Sequence, residues 1–189
     1  MKTKYIEIPI DILKELLDYN SETGKLYWKK RNRKYFSSDR DWKRWNTRYS
    51  EKEAFTAKGK SGYYLGRIFN KMYLTHRVIW ALHYGKWPSL EIDHINNIRD
   101  DNRICNLREA THQQTSQNRT SHKVSTSKYL GVYWYTRGEK WRAQIRINNI
   151  NKNLGFFHNE EDAAKAYDKA AKKNHGEFAN FNFPELIVF

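Results

Sequence analysis

Ser121 to Lys128 reads SHKVSTSK and carries no apolar pattern beyond Val124. A run of this kind cannot take part in a packed core, so it divides the chain and obliges each side to bury its own apolar face. At 189 residues the chain is long enough for one ordinary domain or two small ones, each with a modest core, and the linker favours two. Apolar residues make up 39% and charged residues 30%, a globular composition. The N-terminus lacks a signal-peptide core, and no apolar run approaches the ~20 residues of a membrane span.

Charge narrows the partners. Lys and Arg number 35 against 21 Asp and Glu, a formal net charge of +14, which favours a polyanion. Without a span or signal, the expectation is a soluble intracellular protein facing nucleic acid, with no membrane role. Cys105 is the only cysteine, so an intramolecular disulfide and a Cys-based zinc knuckle are both excluded. Between Ile104 and Asn106 it reads as a small buried filler.

The most chemical stretch is Glu91 to Arg119, EIDHINNIRDDNRICNLREATHQQTSQNR. Asp93 and His94 end a short apolar run, where the chain leaves a strand. An Asn- and Asp-rich loop follows, then Asn106 in NLR, then a polar segment with helical character carrying Asn118. Carboxylate, imidazole and amide oxygens together suit one divalent cation bound by oxygen and presented to a phosphate, with histidine left to activate water. A polar loop whose asparagines only satisfy turns is the competing reading.

Upstream, Pro9 to Tyr19 reads as a helix through Ile12, Leu13, Leu16 and Leu17, followed by a turn at Ser21 to Gly24 and a short strand Leu26-Tyr27-Trp28. From Lys29 to Arg48 cations and rings interleave. Lys30, Arg31, Arg33 and Arg44 there are candidate DNA contacts on an arm gripping phosphates; a solvated loop whose aromatics fold back is the alternative. Gly62 to Phe69 and Lys71 to Thr75 form an expected hairpin about Asn70-Lys71, and His76 to Gly85 a helix with a glycine cap. His76 and His83 read as structural.

Downstream, Tyr129 to Tyr135, Trp141 to Asn148 and Asn153 to Phe157 are three expected strands. A helix follows, capped by Asn159 with Asp162 in a capping-box-like place and ended by Gly176. In the middle strand Trp141, Ala143, Ile145 and Ile147 share one face; Lys140, Arg142, Gln144, Arg146 and Asn148 share the other. No acidic residue interrupts this outward row, and Arg and Gln carry the donors that read purine edges; Arg137 in the preceding turn is a further candidate DNA contact.

Two resemblances rest on these residues. Glu91 to Arg119, preceded by LTHRVIWALHYGKWP at residues 74 to 88, resembles the H-N-H nuclease motif in its phage and intron-encoded homing-endonuclease branch. YLGVYWYTRGEKWRAQI, LGFF, EEDAAKAYDKAA and NFNFP resemble the DNA-binding domain of plant ethylene-response factors. The implied fold is α+β: a ββα-metal nuclease unit, then a small three-stranded antiparallel sheet packed on one helix. The implied segments are 1–56 (helix and arm), 57–120 (nuclease), 121–128 (linker) and 129–189 (DNA-binding domain). By the same resemblance His94 is the general base, Asp93 binds Mg²⁺ or Mn²⁺, and Asn106 supports the loop and base. An amide on the following helix completes the metal site. Where close relatives carry two asparagines on that helix, this chain has Thr115 and Asn118. Tyr133, Tyr135 and Asn153 likewise stand where plant factors present Arg or Trp. The implied activity is hydrolysis of double-stranded DNA in a bacterial cytoplasm, by a phage- or mobile-element-encoded protein. A non-catalytic DNA-binding protein with a decayed site, and an RNA-binding accessory protein, are the alternatives.

Overall fold

The computed structural model describes residues 7–120 and 125–186. The start of the expected linker, residues 121–124, lies outside them, as do residues 1–6 and 187–189. Two compact units divide the chain, Met1–Glu109 and Ala110–Phe189. Both mix helices with small antiparallel sheets.

In the first unit α1 (Ile10–Leu16) leads directly into β1 (Leu17–Asn20), which pairs with β2 (Lys25–Trp28). The helix expected to reach Tyr19 therefore ends three residues early. The cause is tertiary: Leu17 to Asn20 gains a strand partner, and the Tyr19 hydroxyl donates to the Asn102 carbonyl at 3.2 Å and accepts from Ile104 N–H at 2.9 Å. Pro9 sits just outside the helix, at the N-cap.

The Lys29 to Arg48 stretch is folded back on the unit. Ser38 caps α2 (Asp39–Tyr49) by accepting from Asp41 N–H at 3.1 Å. Trp42 Nε1 donates to the Arg31 carbonyl at 2.8 Å, and Trp45 meets Trp28 edge-on with centroids 5.6 Å apart. Interleaved rings and cations thus make a small aromatic layer.

Short strands β3 (Glu53–Ala54) and β4 (Ala57–Lys58) lead to a hairpin of β5 (Tyr64–Ile68) and β6 (Lys71–Leu74). Its two-residue turn is Phe69-Asn70, with φ of 48° and 63°, one place earlier than the sequence suggested. Next, α3 (Thr75–Tyr84) buries Val78, Ile79 and Ala81 against Leu13, Leu16 and Leu26, and Gly85 ends it at φ 69°. The chain then forms β7 (Glu91–His94) and β8 (Leu107–Ala110), a two-stranded sheet joined by a long polar loop. Cys105 is exposed, not a buried filler. It lies in a 3₁₀ turn in which Ile104 packs against the core and Asn106 is held inward, leaving the thiol the outward place.

In the second unit α4 (His112–Gln117) opens with a capping box between Thr111 and Gln114. The sheet follows as β9 (Val132–Tyr135), β10 (Lys140–Ile147) and β11 (Ile150–Phe157), in the order β11-β10-β9. β9 starts three residues later than expected. Gly131, at φ 75°, lies so close to the Tyr167 ring and the Gln144 carbonyl that a Cβ would stand 2.1 Å and 2.7 Å from them. Across Ala143-Gln144 the register with β11 shifts past Leu154, a bulge that leaves the alternation of β10 intact. Ala163, Ala164, Tyr167 and Ala171 of α5 (Glu160–His175) pack on Val132, Ala143 and Ile145. Asn159 caps α5 through Glu161 N–H at 2.7 Å. Asp168 ties down the closing segment by accepting from Asn182 and Phe183 N–H at 2.9 and 2.8 Å.

Candidate functional site

The burial of β7 is one-sided: Glu91 is exposed, while Ile92, Asp93 and His94 are not. Side chains alternate along a strand, so two consecutive buried polar residues cannot both face one apolar core; each needs its own polar partner. His94 and Asp93 are 4% and 5% exposed, and the structure supplies those partners.

His94 Nε2 lies 3.1 Å from Asn102 Oδ1, a contact that favours the tautomer with its proton on Nε2. Asn102 is itself buried. Burial is the main influence on His94 and holds its pKa below the ordinary histidine value, with the Asn102 hydrogen bond opposing. A neutral imidazole has the form that accepts a proton.

Asn106 closes the loop between β7 and β8. Its Nδ2 donates to the Asp101 carbonyl at 2.8 Å, its Oδ1 accepts from Asn96 N–H at 3.0 Å, and its carbonyl accepts from Ile95 N–H at 2.9 Å. One amide thus ties the loop's first turn to its last. The Asp101 carboxyl is held down to about 2, chiefly by its Arg103 partner, and also accepts from Asn96 Nδ2 at 2.8 Å. Asp93 is gripped from the paired strand: Arg108 Nε and Nη2 stand 2.9 and 2.8 Å from its Oδ2.

Two further side chains wall the imidazole. His76 on α3 meets His94 edge-on, centroids 5.1 Å apart, and Tyr63 lies 5.0 Å from His76 and 5.6 Å from His94. Burial pushes His76 down to about 3, with the neighbouring Arg77 charge, and His94 were it to protonate, adding to it. The sequence reading took His76 as a structural helix histidine and gave no sign that it faces His94. Asn102 and Arg108 were equally hidden among several asparagines and arginines of the same stretch.

Because His76 and His94 fold below the ordinary value, the unfolded chain binds their protons more readily. The resulting penalty sets in as pH falls through ~6.5, the unfolded value, and grows toward the folded value of about 3 for His76. Thermal unfolding of the full chain is expected to drop in midpoint between pH 7 and pH 5, and His76→Phe to shrink that drop. An equal drop in both proteins would contradict the assignment.

Thr115 and Asn118 belong to the second unit. Thr115 Oγ1 donates to the Thr111 carbonyl at 3.2 Å, and Asn118, the C-cap of α4, is buried. Among the described residues no three His, Cys, Asp or Glu side chains converge as a closed zinc centre requires. The Asp93 carboxylate is buried and supplies a hard oxygen donor. It fits Mg²⁺, which takes one or two carboxylates and fills its remaining places with water and substrate phosphate.

The candidate DNA contacts differ in kind. The outward sheet face carries Tyr133 and Tyr135 from β9, Lys140, Arg142, Gln144 and Arg146 from β10, and Asn151, Asn153 and Phe156 from β11. Tyr133 donates to Gln144 Oε1 at 2.8 Å, and Arg142 Nε donates to Asn153 Oδ1 at 3.2 Å while lying over the Tyr133 and Phe156 rings. Arg146 and the turn residue Arg137 are exposed. In the first unit Lys30 and Arg44 are exposed, and Arg33 pairs with Asp39 and the Phe36 carbonyl. Arg31 sits between Trp45 and Trp28, 3.9 and 4.7 Å from the ring centroids, and burial lowers it to about 10. That guanidinium holds the aromatic layer together.

Comparison with known proteins matches residues 73–117 to the HNH endonuclease family model. The chain is 37% identical over 123 residues to the uncharacterized HNH endonuclease L560 of Acanthamoeba polyphaga mimivirus, covering 64% of this chain and 63% of that protein. Two Arabidopsis thaliana proteins are similar over shorter stretches. One is the AP2/ERF and B3 domain-containing transcription repressor TEM1, 39% identical over 67 residues, which are 35% of this chain and 18% of that protein. The other is dehydration-responsive element-binding protein 2D, 44% identical over 61 residues, 31% of this chain and 29% of that protein. The chain therefore spans less than two thirds of the viral relative and less than a third of each plant protein. The resemblances to HNH endonucleases and to the plant ethylene-response-factor domain are both met. No helix among the described residues is long and apolar enough to cross a membrane.

Proposed function

We propose, from an HNH endonuclease segment joined to an AP2/ERF-like region, that this chain is a divalent-cation-dependent, homing-type DNA endonuclease encoded by a phage or similar mobile element. One observation carries the reading: Asp93 and His94 are consecutive, buried and separately partnered, with burial favouring the neutral imidazole. His94 Nδ1 takes the proton from the water that attacks the phosphodiester. Asn102 keeps the ring from turning, and Asn106 keeps the loop that carries Asn102 closed. Asp93 is the carboxylate for Mg²⁺ or Mn²⁺. When bound, the cation polarises the scissile phosphate and stabilises the leaving oxygen. The resemblance to the H-N-H motif, rather than any measured distance, makes Thr115 or Asn118 the candidate for a further oxygen donor.

The sheet of the second unit holds double-stranded DNA through Lys140, Arg142, Gln144 and Arg146, with Arg137 beside it and Lys30, Arg33 and Arg44 as candidate phosphate contacts in the first unit. Arg142→Ala and Arg146→Ala are each expected to weaken duplex binding and to lower the salt slope by about one for every phosphate left without its cation. Unchanged anisotropy titrations at two salt concentrations would remove them from the interface. The catalytic part is tested on an end-labelled duplex: chain stripped with EDTA leaves it intact, and Mg²⁺ or Mn²⁺ restores cutting. Cutting that persists in EDTA would end the cation-dependent reading.

A second reading has a specific observation behind it. Thr115 stands at a place where an amide is expected, and that favours a DNA-binding protein without cleavage.

A further inference from the structure

A carboxylate meant for a cation is normally kept accessible to it, yet Asp93 already has one. Arg108 presents Nε and Nη2 to the same oxygen, Oδ2, and side-chain exposure is only 15% for Arg108 and 6% for Asp93. An ion pair so far from water is held strongly, because separating it strands a charge. The two residues come from β7 and β8, so the pair is built into the two-stranded sheet rather than formed by a wandering surface chain.

We infer that Arg108 is the resident counter-ion of Asp93, competing with the divalent cation for the carboxylate and giving it up when a DNA phosphate offers the guanidinium another partner. This rests on Asp93 being the cation ligand. The chemistry allows the exchange. A guanidinium matches phosphate oxygens as well as carboxylate oxygens, and it keeps its charge wherever it goes. Before DNA arrives, carboxylate and guanidinium balance each other. Once both cation and phosphate are present, cation pairs with carboxylate and guanidinium with phosphate, so two opposite-charge pairs replace one. Cation and DNA then help each other bind, by the same factor in either direction. The protein would hold little metal when free and acquire it on its substrate.

The test is a Mn²⁺ titration read by the loss of free-ion electron paramagnetic resonance signal, on full-length chain, with a DNA-only blank. Every protein in the DNA-containing arms, and its DNA-free counterpart, carries His94→Ala so that the duplex survives. Without DNA, Arg108→Gln, which can still donate to Asp93 but has no charge, is expected to bind Mn²⁺ about tenfold more tightly than the parent, within the usual range of site-to-site coupling. Arg108→Lys, which keeps a charge, is expected to stay near the parent. With duplex present the Gln and parent proteins should converge. Equal or weaker binding by Arg108→Gln would overturn the inference and make Arg108 an orienting partner only. So would a gap that duplex leaves unchanged. Should Arg108→Gln fail to fold, the parent still decides: its Mn²⁺ affinity must rise with duplex, and an unchanged Kd overturns the exchange. If Asp93→Asn/Arg108→Gln binds Mn²⁺ as tightly as Arg108→Gln, Asp93 is not the ligand, and the failure lies in the reading beneath.

Discussion

His94→Ala is expected to lower the rate of DNA cleavage by roughly 10²- to 10⁴-fold, the usual contribution of a positioned general base, while duplex affinity changes less than about twofold. The two effects separate because His94 is buried against Tyr63 and His76, away from the surface that a polyanion would touch. Single-turnover cleavage and fluorescence anisotropy measure them independently. The alanine leaves a cavity, so a thermal melt of the variant belongs with the kinetics. A proportionate loss of cleavage and binding would assign His94 to DNA contact instead. Cleavage within a few-fold of the parent would remove it from the chemistry.

Gly24→Ala is expected to cost about 2–4 kcal/mol of stability, combining left-handed backbone strain with overpacking. Gly24 has φ 71°, and a Cβ there would stand 2.6 Å from Arg103 N and 2.7 Å from the Asn102 carbonyl carbon. Those are backbone atoms, which cannot rotate aside. The turn between β1 and β2 is thus pressed onto the loop that carries the His94 partner, far along the chain. Gly85→Ala is the control: φ is 69° but nothing lies within 4 Å of its Cβ, so only the strain of about 1–2 kcal/mol remains. Denaturant unfolding should rank Gly24→Ala well below Gly85→Ala. Folded Gly24→Ala should also cleave more slowly, since Asn102 must shift. Equal stabilities for the two variants would show that the loop yields freely.

Local pattern accounts for a good deal of the fold. The inner face of α3 and its Gly85 cap, the β5–β6 hairpin and the alternation along β10 are all settled by neighbours within a few residues. What escaped depends on distant partners. Leu17 to Asn20 has helical spacing but becomes strand because β2 returns alongside it. The cations and rings of Lys29 to Arg48 read equally well as an arm, and only the Trp28 and Trp45 rings around Arg31 turn them into a packed layer. Asp93 and His94 at the end of a strand were legible from Leu90-Glu91-Ile92 onward. Which of several asparagines would meet the imidazole was not, because Asn96, Asn97, Asn102 and Asn106 are chemically identical until the loop closes. Arg108 taking the carboxylate, and His76 backing the ring, required two elements to converge in space.

Incubating the purified full-length chain with supercoiled plasmid, with Mg²⁺ or with EDTA, most directly tests whether these residues do chemistry on DNA. Conversion to nicked or linear plasmid with Mg²⁺ alone is the predicted result. Plasmid that is bound and shifted yet stays supercoiled over a range of Mg²⁺ and Mn²⁺ concentrations would contradict it.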